Sequence, residues 1–263
     1  MNKQWNILNT KLNRNDIREI RARFSVTSAM ATIMLNRAVT ADKAEEFLNR
    51  TVKLYDPFLL RDMDKACERI KAAIDKGEKI TVYGDYDVDG ITSVAIVVRY
   101  LKSVGANCDF YIPSREEEGY GVNRDALSEI AKGQSSVVIT VDTGITAIDE
   151  TEYARELGID MVITDHHTVK EEIPAAWAVI NPKRRDCGYP FKELSGAGVA
   201  FKLICALDGR DDVMFEEYSD LVALSAIADV VPLVGENRAM VYHGIEKIKN
   251  NPKPGKKSAP VSL

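Results

Sequence analysis

The sequence predicts an α/β protein with a doubly wound, mainly parallel sheet and flanking helices at both ends. From Lys79 to Ile180, short β-branched runs alternate with segments of helical periodicity. The strand-like runs are apolar throughout, which is typical of parallel strands covered on both faces. Before and after this region, apolar residues recur at helical spacing. Together these three observations favour a layered fold with helices on both faces of one sheet.

The first part of the chain, residues 1–77, is interpreted as a helical preamble that packs on the core. Thr40 is suited to be the N-cap of a helix over Ala41–Asn49. Asp64 is suited to cap a second helix, which Gly77 would end because glycine adopts the left-handed conformation easily. We find no motif for chemistry in this segment.

The central part, residues 78–246, is predicted to be the α/β domain. The predicted strands are Lys79–Tyr83, Cys108–Ile112, Ser136–Val141, Asp160–Thr164 and Trp177–Ile180. The predicted helices are Thr92–Val104, Asn123–Lys132, Ala147–Leu157, Gly198–Leu207 and Phe215–Ala228. The order of strands and helices indicates parallel strands, because a helix between two strands returns the chain to the same edge of the sheet.

The last segment, residues 247–263, is a basic tail that we interpret as a truncation or an aberrant end. It carries five lysines and no acidic residue. The whole chain has 35 basic and 40 acidic residues and a net charge of −5, so the first 246 residues, with 30 basic and 40 acidic, have −10. This balance excludes a uniformly basic nucleic-acid-binding surface, although it allows a local basic groove.

Cysteine usage and hydropathy predict a cytoplasmic protein without a membrane partner. The four cysteines lie far apart and form no CxxC pair, which disfavours both disulfides and structural zinc. No apolar run approaches the roughly 18 residues of a membrane span. The first residues lack the apolar segment of a signal peptide.

Acidic residues follow three of the predicted strands. Asp85, Asp87 and Asp89 follow the first strand, Asp142 follows the third, and Asp165-His166-His167 follows the fourth. Because the carboxyl ends of parallel strands lie along one edge, these side chains should share one crevice. So many carboxylates would repel one another and raise their pKa values unless cations bind there. The sequence therefore predicts a metal site.

Two other interpretations of these acidic residues, a calcium-binding loop and an aspartyl-phosphate phosphatase, are disfavoured by the sequence. A calcium loop beginning at Asp85 would need a bidentate glutamate where Ile96 stands, and a helix rather than a strand before it. An aspartyl-phosphate phosphatase would use Asp87 as nucleophile and Asp89 as acid and base, but it leaves Asp165-His166-His167 without a role. Mixed carboxylate and imidazole ligands favour Mn²⁺, or Mg²⁺, and such a site can hold two ions about 3.5–4 Å apart for phosphoryl hydrolysis.

At these residues the sequence resembles the DHH phosphoesterase superfamily, named for the triplet Asp165-His166-His167. From the Trp5 region to about Gly255 it is similar to the branch of 5′→3′ exonucleases of single-stranded DNA. Further shared stretches are Asp56–Met63, Gly84–Ser93, Ser114-Arg115, Glu118–Gly121, Ser195–Lys202 and Ala228–Leu233. The resemblance implies metal-dependent hydrolysis of phosphodiester bonds, with release of 5′-mononucleotides, in DNA repair and recombination.

The resemblance also implies a set of metal ligands for two Mn²⁺ or Mg²⁺ ions. These ligands are Asp87, Asp89, Asp142, His166 and Asp229. Asp142 is the residue expected to bridge the two ions. Relatives often have a histidine where Tyr83 stands, so Asp85 or water is expected to fill that position.

Other positions are expected to contact substrate. The resemblance implies that His167 contacts the scissile phosphate or the leaving oxygen, and that Asp165 orients a histidine. Arg115 is a candidate for binding phosphate and Tyr120 for stacking on a base. Ser195-Gly196 either places a helix N-terminus towards phosphate or serves close packing.

The partners implied are single-stranded DNA, a single-strand-binding protein and a helicase. The alternative is a phosphodiesterase of the same superfamily that acts on short oligonucleotides or cyclic dinucleotides. A module that binds nucleic acid without hydrolysing it is a third hypothesis. Since the second phosphoesterase-associated domain and the oligonucleotide-binding barrel of the resembling proteins do not follow, we expect this chain alone to be weakly active or inactive on DNA.

Overall fold

The computed structural model describes residues 12–49, 54–116 and 119–250. The chain divides into two compact units, Met1–Lys53 and Leu54–Leu263. The helices of the first unit are α1 (Arg14–Phe24), α2 (Ser28–Asn36) and α3 (Ala44–Asn49). They enclose a small apolar core whose fully buried members are Ile20, Ala31, Met34 and Ala44.

The second unit contains the sheet. Its strands are β1 (Lys79–Tyr83), β2 (Cys108–Tyr111), β3 (Ser135–Val141), β4 (Asp160–Thr164) and β5 (Ala178–Ile180). Its helices are a 3₁₀ turn (Pro57–Leu59), α4 (Met63–Lys76), α5 (Val88–Ser103), α6 (Arg124–Lys132), α7 (Ile148–Glu156), α8 (Gly196–Asp208), α9 (Asp211–Ala228) and α10 (Gly235–Asn250). Within the described ranges, none of the helices combines the length and apolar character needed to cross a membrane.

The predicted α/β fold with a parallel sheet is confirmed. The strand order is β2-β1-β3-β4-β5, and every neighbouring pair is parallel. From β1 the chain moves outward to β2, and then returns to the other side of β1 as β3. Buried side chains lie on both faces of the sheet. Ile80 and Ile139 pack with α4, α5 and α8, while Val138 and Ile163 pack with α6 and α7.

Helix α4 belongs to the unit of the sheet, so the units divide at Lys53–Leu54 and not at the predicted residue 77. The physical reason is the buried face of α4, which packs in the core of the sheet. Asp62, with a φ of 62°, takes the N-cap position that we predicted for Asp64, and Asp64 lies in the first turn. Gly77 ends the helix in the left-handed conformation, as predicted.

Helix α10 was not predicted, and it extends to Asn250, so the tail predicted to begin at residue 247 is helical at its start. Residues 251–263 lie outside the described ranges. A buried ion pair fixes the beginning of α10, because the Nζ atom of Lys202 lies 2.6 Å from Oε1 of Glu236. The other oxygen of Glu236 accepts a hydrogen bond of 2.6 Å from Tyr189. Removing one partner of such a pair typically costs about 3–5 kcal/mol.

Candidate metal centre

The carboxyl ends of β1, β3 and β4 meet at the point where the chain reverses its direction across the sheet. Strands β1 and β3 are neighbours, yet the chain leaves β1 towards β2 on the other side. The connections after β1 and β3 therefore diverge and open a crevice, which is where doubly wound proteins bind ligands. This topology gathers acidic residues that are far apart in the sequence, such as Asp85 and Asp165.

The turn between β1 and α5 sets the first acidic residues. Asp87 is the N-cap of α5, and its Oδ1 accepts a 2.9 Å hydrogen bond from the backbone N–H of Gly90. A Cβ atom on Gly90 would collide with the backbone of Asp85, so only glycine fits. Because of this cap, α5 begins at Val88 rather than at the predicted Thr92. Asp89 therefore lies in the first helical turn, where it is buried.

Asp142 follows β3 in a conformation that is uncommon for a residue with a side chain. Its φ is 59°, in the left-handed region, and the residue is only 2% exposed. Its Oδ1 atom has no hydrogen-bond partner in the described part of the chain. Burial, followed by the charges of Asp89 and Asp87, raises the pKa of this carboxyl to about 10. A buried carboxylate of this kind requires a cation or a proton.

Asp165 follows β4 and is saturated by hydrogen bonds from its own neighbourhood. Its oxygens accept from the backbone N–H groups of Ile145 (2.9 Å), His166 (2.7 Å) and His167 (3.0 Å), and Oδ1 lies 2.8 Å from Nδ1 of His167. Burial is the largest single influence and opposes ionisation, but the hydrogen bond and charge of the His167 ring together with the backbone N–H groups of His167 and Ile145 outweigh it, so the pKa of Asp165 is lowered. The same bond raises the pKa of His167. Asp165 thus holds the His167 ring by a hydrogen bond and has little capacity left for a metal; its role in orienting a catalytic histidine stays a prediction.

His166 points into the centre of the acidic cluster. Its Nε2 atom lies 3.1 Å from Oδ1 of Asp142, 3.6 Å from Oδ2 of Asp89 and 3.8 Å from Oδ2 of Asp229. Both ring nitrogens are buried, and neither has a hydrogen-bond partner within the described ranges. Buried polar atoms are rarely left unpaired, because burying them without a partner costs free energy. The ring and the surrounding oxygens could therefore hold a metal ion together.

Two overlapping groups of side chains bring their ligand atoms within 4.8 Å of one another. One group is Asp142, His166 and His167, and the other is Asp89, His166 and Asp229. Asp229 is the C-cap of α9, and burial, opposed by His166 and assisted by the charge of Asp89, raises its pKa. Carboxylate oxygens with imidazole nitrogen suit Mn²⁺, and carboxylate oxygens suit Mg²⁺. The residues present therefore fit the predicted metals.

Two of the predicted acidic residues lie beside these groups rather than within them. Asp87 is exposed and serves as the helix cap, while its charge still acts on Asp142. Asp85 is buried, accepts a 2.7 Å hydrogen bond from the backbone of Tyr86, and has a pKa raised by burial. Tyr83 is turned away, because its hydroxyl donates to the carbonyl of Gly121 at 2.9 Å. Tyr83 thus fixes the adjoining loop.

The candidate substrate contacts Tyr120 and Arg115 lie exposed at the same edge. The hydroxyl of Tyr120 lies 3.2 Å from Nε2 of His167, and partial burial of this group, followed by the charges of Asp165 and Asp142, raises the pKa of the phenol. The guanidinium of Arg115 lies 5.4 Å from the ring centroid of Tyr86. The guanidinium of Arg115 and the rings of Tyr86 and Tyr120 thus lie beside the two groups of candidate metal ligands.

Ser195 and Gly196 do not present a free helix N-terminus to phosphate, which corrects that interpretation. Both are buried, and the first N–H groups of α8 already bind an anion of the protein itself. The N–H of Gly196 donates to Oδ2 of Asp89 at 2.8 Å, and that of Ala197 donates to Oδ1 at 2.7 Å. The helix start thus binds the carboxylate of Asp89, and Gly196 also lies in close contact with Asp142. Sequence reasoning missed Ser225, whose hydroxyl also binds Asp89; its position four residues before Asp229 in one helix was the available signal.

Gly196 is also required by its distance from Asp142. A Cβ atom at this position would lie 2.5 Å from Oδ1 of Asp142. We expect Gly196→Ala to displace that carboxylate and to lower the affinity for Mn²⁺ by about 10- to 100-fold, the usual range for residues that orient ligands. Isothermal titration with Mn²⁺ measures this. Gly188→Ala is the matched control, since nothing lies within 4 Å of its added Cβ; equal affinities of the two variants would contradict the expectation.

The chain is similar to one known protein family and to known sequences. The model of the DHH family, N-terminal domain, matches residues 79–226. The single-stranded-DNA-specific exonuclease RecJ of Bacillus subtilis (strain 168) is 42% identical over 256 residues. That alignment covers 97% of this chain and 32% of the relative. The chain thus spans about a third of the length of this relative.

Solved structures of similar chains carry metals. RecJ in complex with Mn²⁺ from Thermus thermophilus has a TM-score of 0.76 and 33% identity, covering 90% of this chain and 34% of that one. A crystal structure of exonuclease RecJ bound to manganese has a TM-score of 0.66 and 39% identity, covering 72% of this chain and 48% of that one. Both similarities agree with the parallel fold described above.

Proposed function

The chain belongs to the DHH family, and from this premise we propose that it hydrolyses phosphodiester bonds of single-stranded DNA with Mn²⁺ or Mg²⁺. The reaction would proceed from the 5′ end and release 5′-mononucleotides. The similarity to RecJ exonucleases, whose solved structures hold manganese, supports this choice of substrate and metal. DNA repair and recombination are the corresponding cellular setting.

One observation carries the proposal. Oδ1 of Asp142 and both ring nitrogens of His166 are buried without hydrogen-bond partners in the described ranges, and Nε2 of His166 lies 3.1 Å from this oxygen. Such a pair is costly in a protein without a cation, because burial disfavours the charged carboxylate and leaves lone pairs unsatisfied. Metal binding removes both costs at once, which supports a metal centre in preference to a structural polar cluster.

We assign Asp89, Asp142, His166 and Asp229 as the residues that would hold two divalent ions, with Asp142 between them. We add Asp87, which lies at the rim of the crevice, to this set as a residue that would bind an ion either directly or through water. When bound, the ions would supply an activated water nucleophile and neutralise charge on the phosphodiester oxygens. The buried location of three of these ligands keeps bulk water from weakening the electrostatic interactions.

The exposed residues at the edge would handle the substrate. His167 is held by Asp165 and has a raised pKa, so it can donate a proton to the departing oxygen. Arg115 would bind a phosphate, and Tyr120 is suited either to stack on a base or to hold the His167 ring through its hydroxyl. The single-strand-binding protein and the helicase implied by the resemblance remain predictions.

A degradation assay tests the proposed function. Oligonucleotides with a label at the 3′ end are incubated with the 263-residue chain and Mn²⁺ at high enzyme concentration, beside a dinucleotide and a cyclic dinucleotide. We expect slow release of 5′-mononucleotides from the unlabelled end of the long strand, abolished by EDTA and by Asp142→Asn. Cleavage of the small substrates alone would favour the alternative phosphodiesterase. Activity retained by Asp142→Asn, or binding of DNA and Mn²⁺ without hydrolysis, would contradict the proposal.

A further inference from the structure

Asp89 is held by hydrogen-bond donors from two helices. From the N-terminus of α8, the N–H of Gly196 donates to Oδ2 at 2.8 Å and the N–H of Ala197 donates to Oδ1 at 2.7 Å. From α9, the hydroxyl of Ser225 lies 2.7 Å from Oδ1. Ser225 is fully buried, so its hydroxyl has no access to bulk water. These three donors come from other helices, and a fourth, the hydroxyl of Ser93 in α5, lies 3.5 Å from Oδ1 of the same carboxylate.

The hydroxyl of Ser225 has one hydrogen and two acceptors within reach. Its Oγ atom lies 2.6 Å from Oγ of Ser195, and the latter accepts a 3.2 Å hydrogen bond from the N–H of Gly198. A hydroxyl has one hydrogen, and an ionised carboxylate can only accept. Ser225 is placed as the donor in both contacts, to Oδ1 of Asp89 and to Oγ of Ser195, so its one hydrogen can serve either acceptor. An ionised carboxylate is the stronger acceptor of the two, and we therefore assign this hydrogen to Asp89.

These donors leave Asp89 with one free direction for ligation. Each carboxylate oxygen offers two lone pairs. On Oδ1, Ala197 and Ser225 occupy both of them, with the Ser93 hydroxyl at 3.5 Å as a further donor, whereas among the described residues Oδ2 accepts from the N–H of Gly196 alone. The remaining lone pair of Oδ2 belongs to the atom that lies 3.6 Å from Nε2 of His166, within the proposed ligand group.

We propose that Ser225 is a positioning residue that makes Asp89 a ligand through Oδ2 alone, and that it thereby favours Mn²⁺ and Mg²⁺ over Ca²⁺. The proposal rests on the metal-dependent function proposed above. Ca²⁺ accepts bidentate carboxylates and longer bonds, whereas Mg²⁺ requires near-octahedral geometry with short bonds. Blocking Oδ1 removes the bidentate mode that the larger ion uses.

The position of Ser225 in α9 strengthens this assignment. Asp229 follows it by four residues at the end of the same helix, so both lie on one face. Helix α9 thus provides a proposed ligand and the hydroxyl that orients a second ligand of the same group. The spacing of four residues along α9 therefore places both the Ser225 hydroxyl and the Asp229 carboxylate at this group.

Metal titration of variants tests the proposal without any substrate. The affinities of the 263-residue chain for Mn²⁺, Mg²⁺ and Ca²⁺ are measured by isothermal titration for the wild type, Ser225→Ala and Ser225→Thr. We expect Ser225→Ala to lose about 10- to 100-fold in Mn²⁺ affinity and less in Ca²⁺ affinity, so that the preference for Mn²⁺ falls. Ser225→Thr keeps the hydroxyl and should restore the preference.

The control is Ser219→Ala, which removes another buried serine of α9 and should leave both affinities unchanged. Thermal unfolding in EDTA shows whether each variant is folded at the temperature of the titration. An unchanged ratio of Mn²⁺ to Ca²⁺ affinity in Ser225→Ala would overturn the proposal, and so would an equal loss for both ions. A wild type that binds Mn²⁺ with this preference but releases no nucleotides would contradict the proposed function and leave the role of Ser225 supported.

Discussion

Asp142→Asn is expected to raise the thermal stability of the metal-free protein and to abolish its stabilisation by Mn²⁺. The wild-type carboxyl is buried, one oxygen lacks a hydrogen-bond partner within the described ranges, and its pKa is raised to about 10. Asparagine has the same shape without the charge, and it tolerates the φ of 59° at this position. The substitution therefore removes an electrostatic cost of folding together with the expected bridging ligand.

The pH dependence of the metal-free protein should change in a defined direction. Since the pKa of Asp142 is about 10 in the folded state against an ordinary value of 3.8, the folded state binds more protons between these values. Stability from this group is therefore fully present below pH 3.8 and declines as the pH rises towards 10. The decline should be smaller in Asp142→Asn.

Differential scanning calorimetry in EDTA and in Mn²⁺ measures both effects. At a Mn²⁺ concentration of about 100 times the Kd, the wild type should gain about 2.7 kcal/mol, and the variant should gain none. Asp149→Asn is the matched control, since Asp149 is exposed in α7. If Asp142→Asn unfolds at or below the wild-type temperature in EDTA and still responds to Mn²⁺, the assignment of Asp142 is wrong.

His167→Gln is expected to lower turnover by about 10²- to 10⁴-fold while the Mn²⁺ affinity changes little. Both ring nitrogens of His167 have partners, Nδ1 at 2.8 Å from Asp165 and Nε2 at 3.2 Å from the hydroxyl of Tyr120. The side chain is also 44% exposed, in contrast to 7% for His166. The ring is thus held at the exposed edge of the crevice, and its hydrogen bond with Asp165 raises its pKa, which favours the protonated form.

Measuring turnover and Mn²⁺ affinity separately for the same variant decides whether His167 acts on substrate or binds metal. His243→Gln is the matched control, because His243 is the remaining histidine of the chain and packs against the ring of Phe215 in another part of the unit. Asp165→Asn should lower the pKa of His167, so the loss of activity at rising pH should begin at a lower pH than in the wild type. A loss of Mn²⁺ affinity as large as the loss of turnover would instead identify His167 as a ligand.

The fold and the location of the site were predictable from local patterns. Apolar runs such as Lys79–Tyr83 and Asp160–Thr164 have the composition of buried strands, and both appear as predicted. The rule that parallel strands end at one edge then gathered Asp89, Asp142 and the two histidines, and the structure brings these side chains within reach of one another.

Other features depended on contacts that local patterns do not contain. Nothing in the composition of α10 or of residues 54–77 indicated which unit they join, because this depends on which apolar faces meet. Ser195 and Gly196 had the pattern of an anion-binding helix start, which is correct, but the anion is Asp89 of the same chain. A local sequence pattern shows that backbone hydrogen-bond donors are present at a helix start, but it does not show which acceptor they bind.

The sequence by itself determined the parallel α/β architecture, the edge of the sheet that carries the acidic residues, and the types of side chain that meet there. These follow from periodicity, from side-chain type and from the fixed geometry of parallel strands. Only the tertiary structure decided that Asp165 is saturated, that the ring nitrogens of His166 have no hydrogen-bond partner among the described residues, and that Ser225 and Ala197 both bind Oδ1 of Asp89. The reason is that hydrogen-bond saturation depends on distances of about 3 Å between residues far apart in the chain, and packing alone sets those distances.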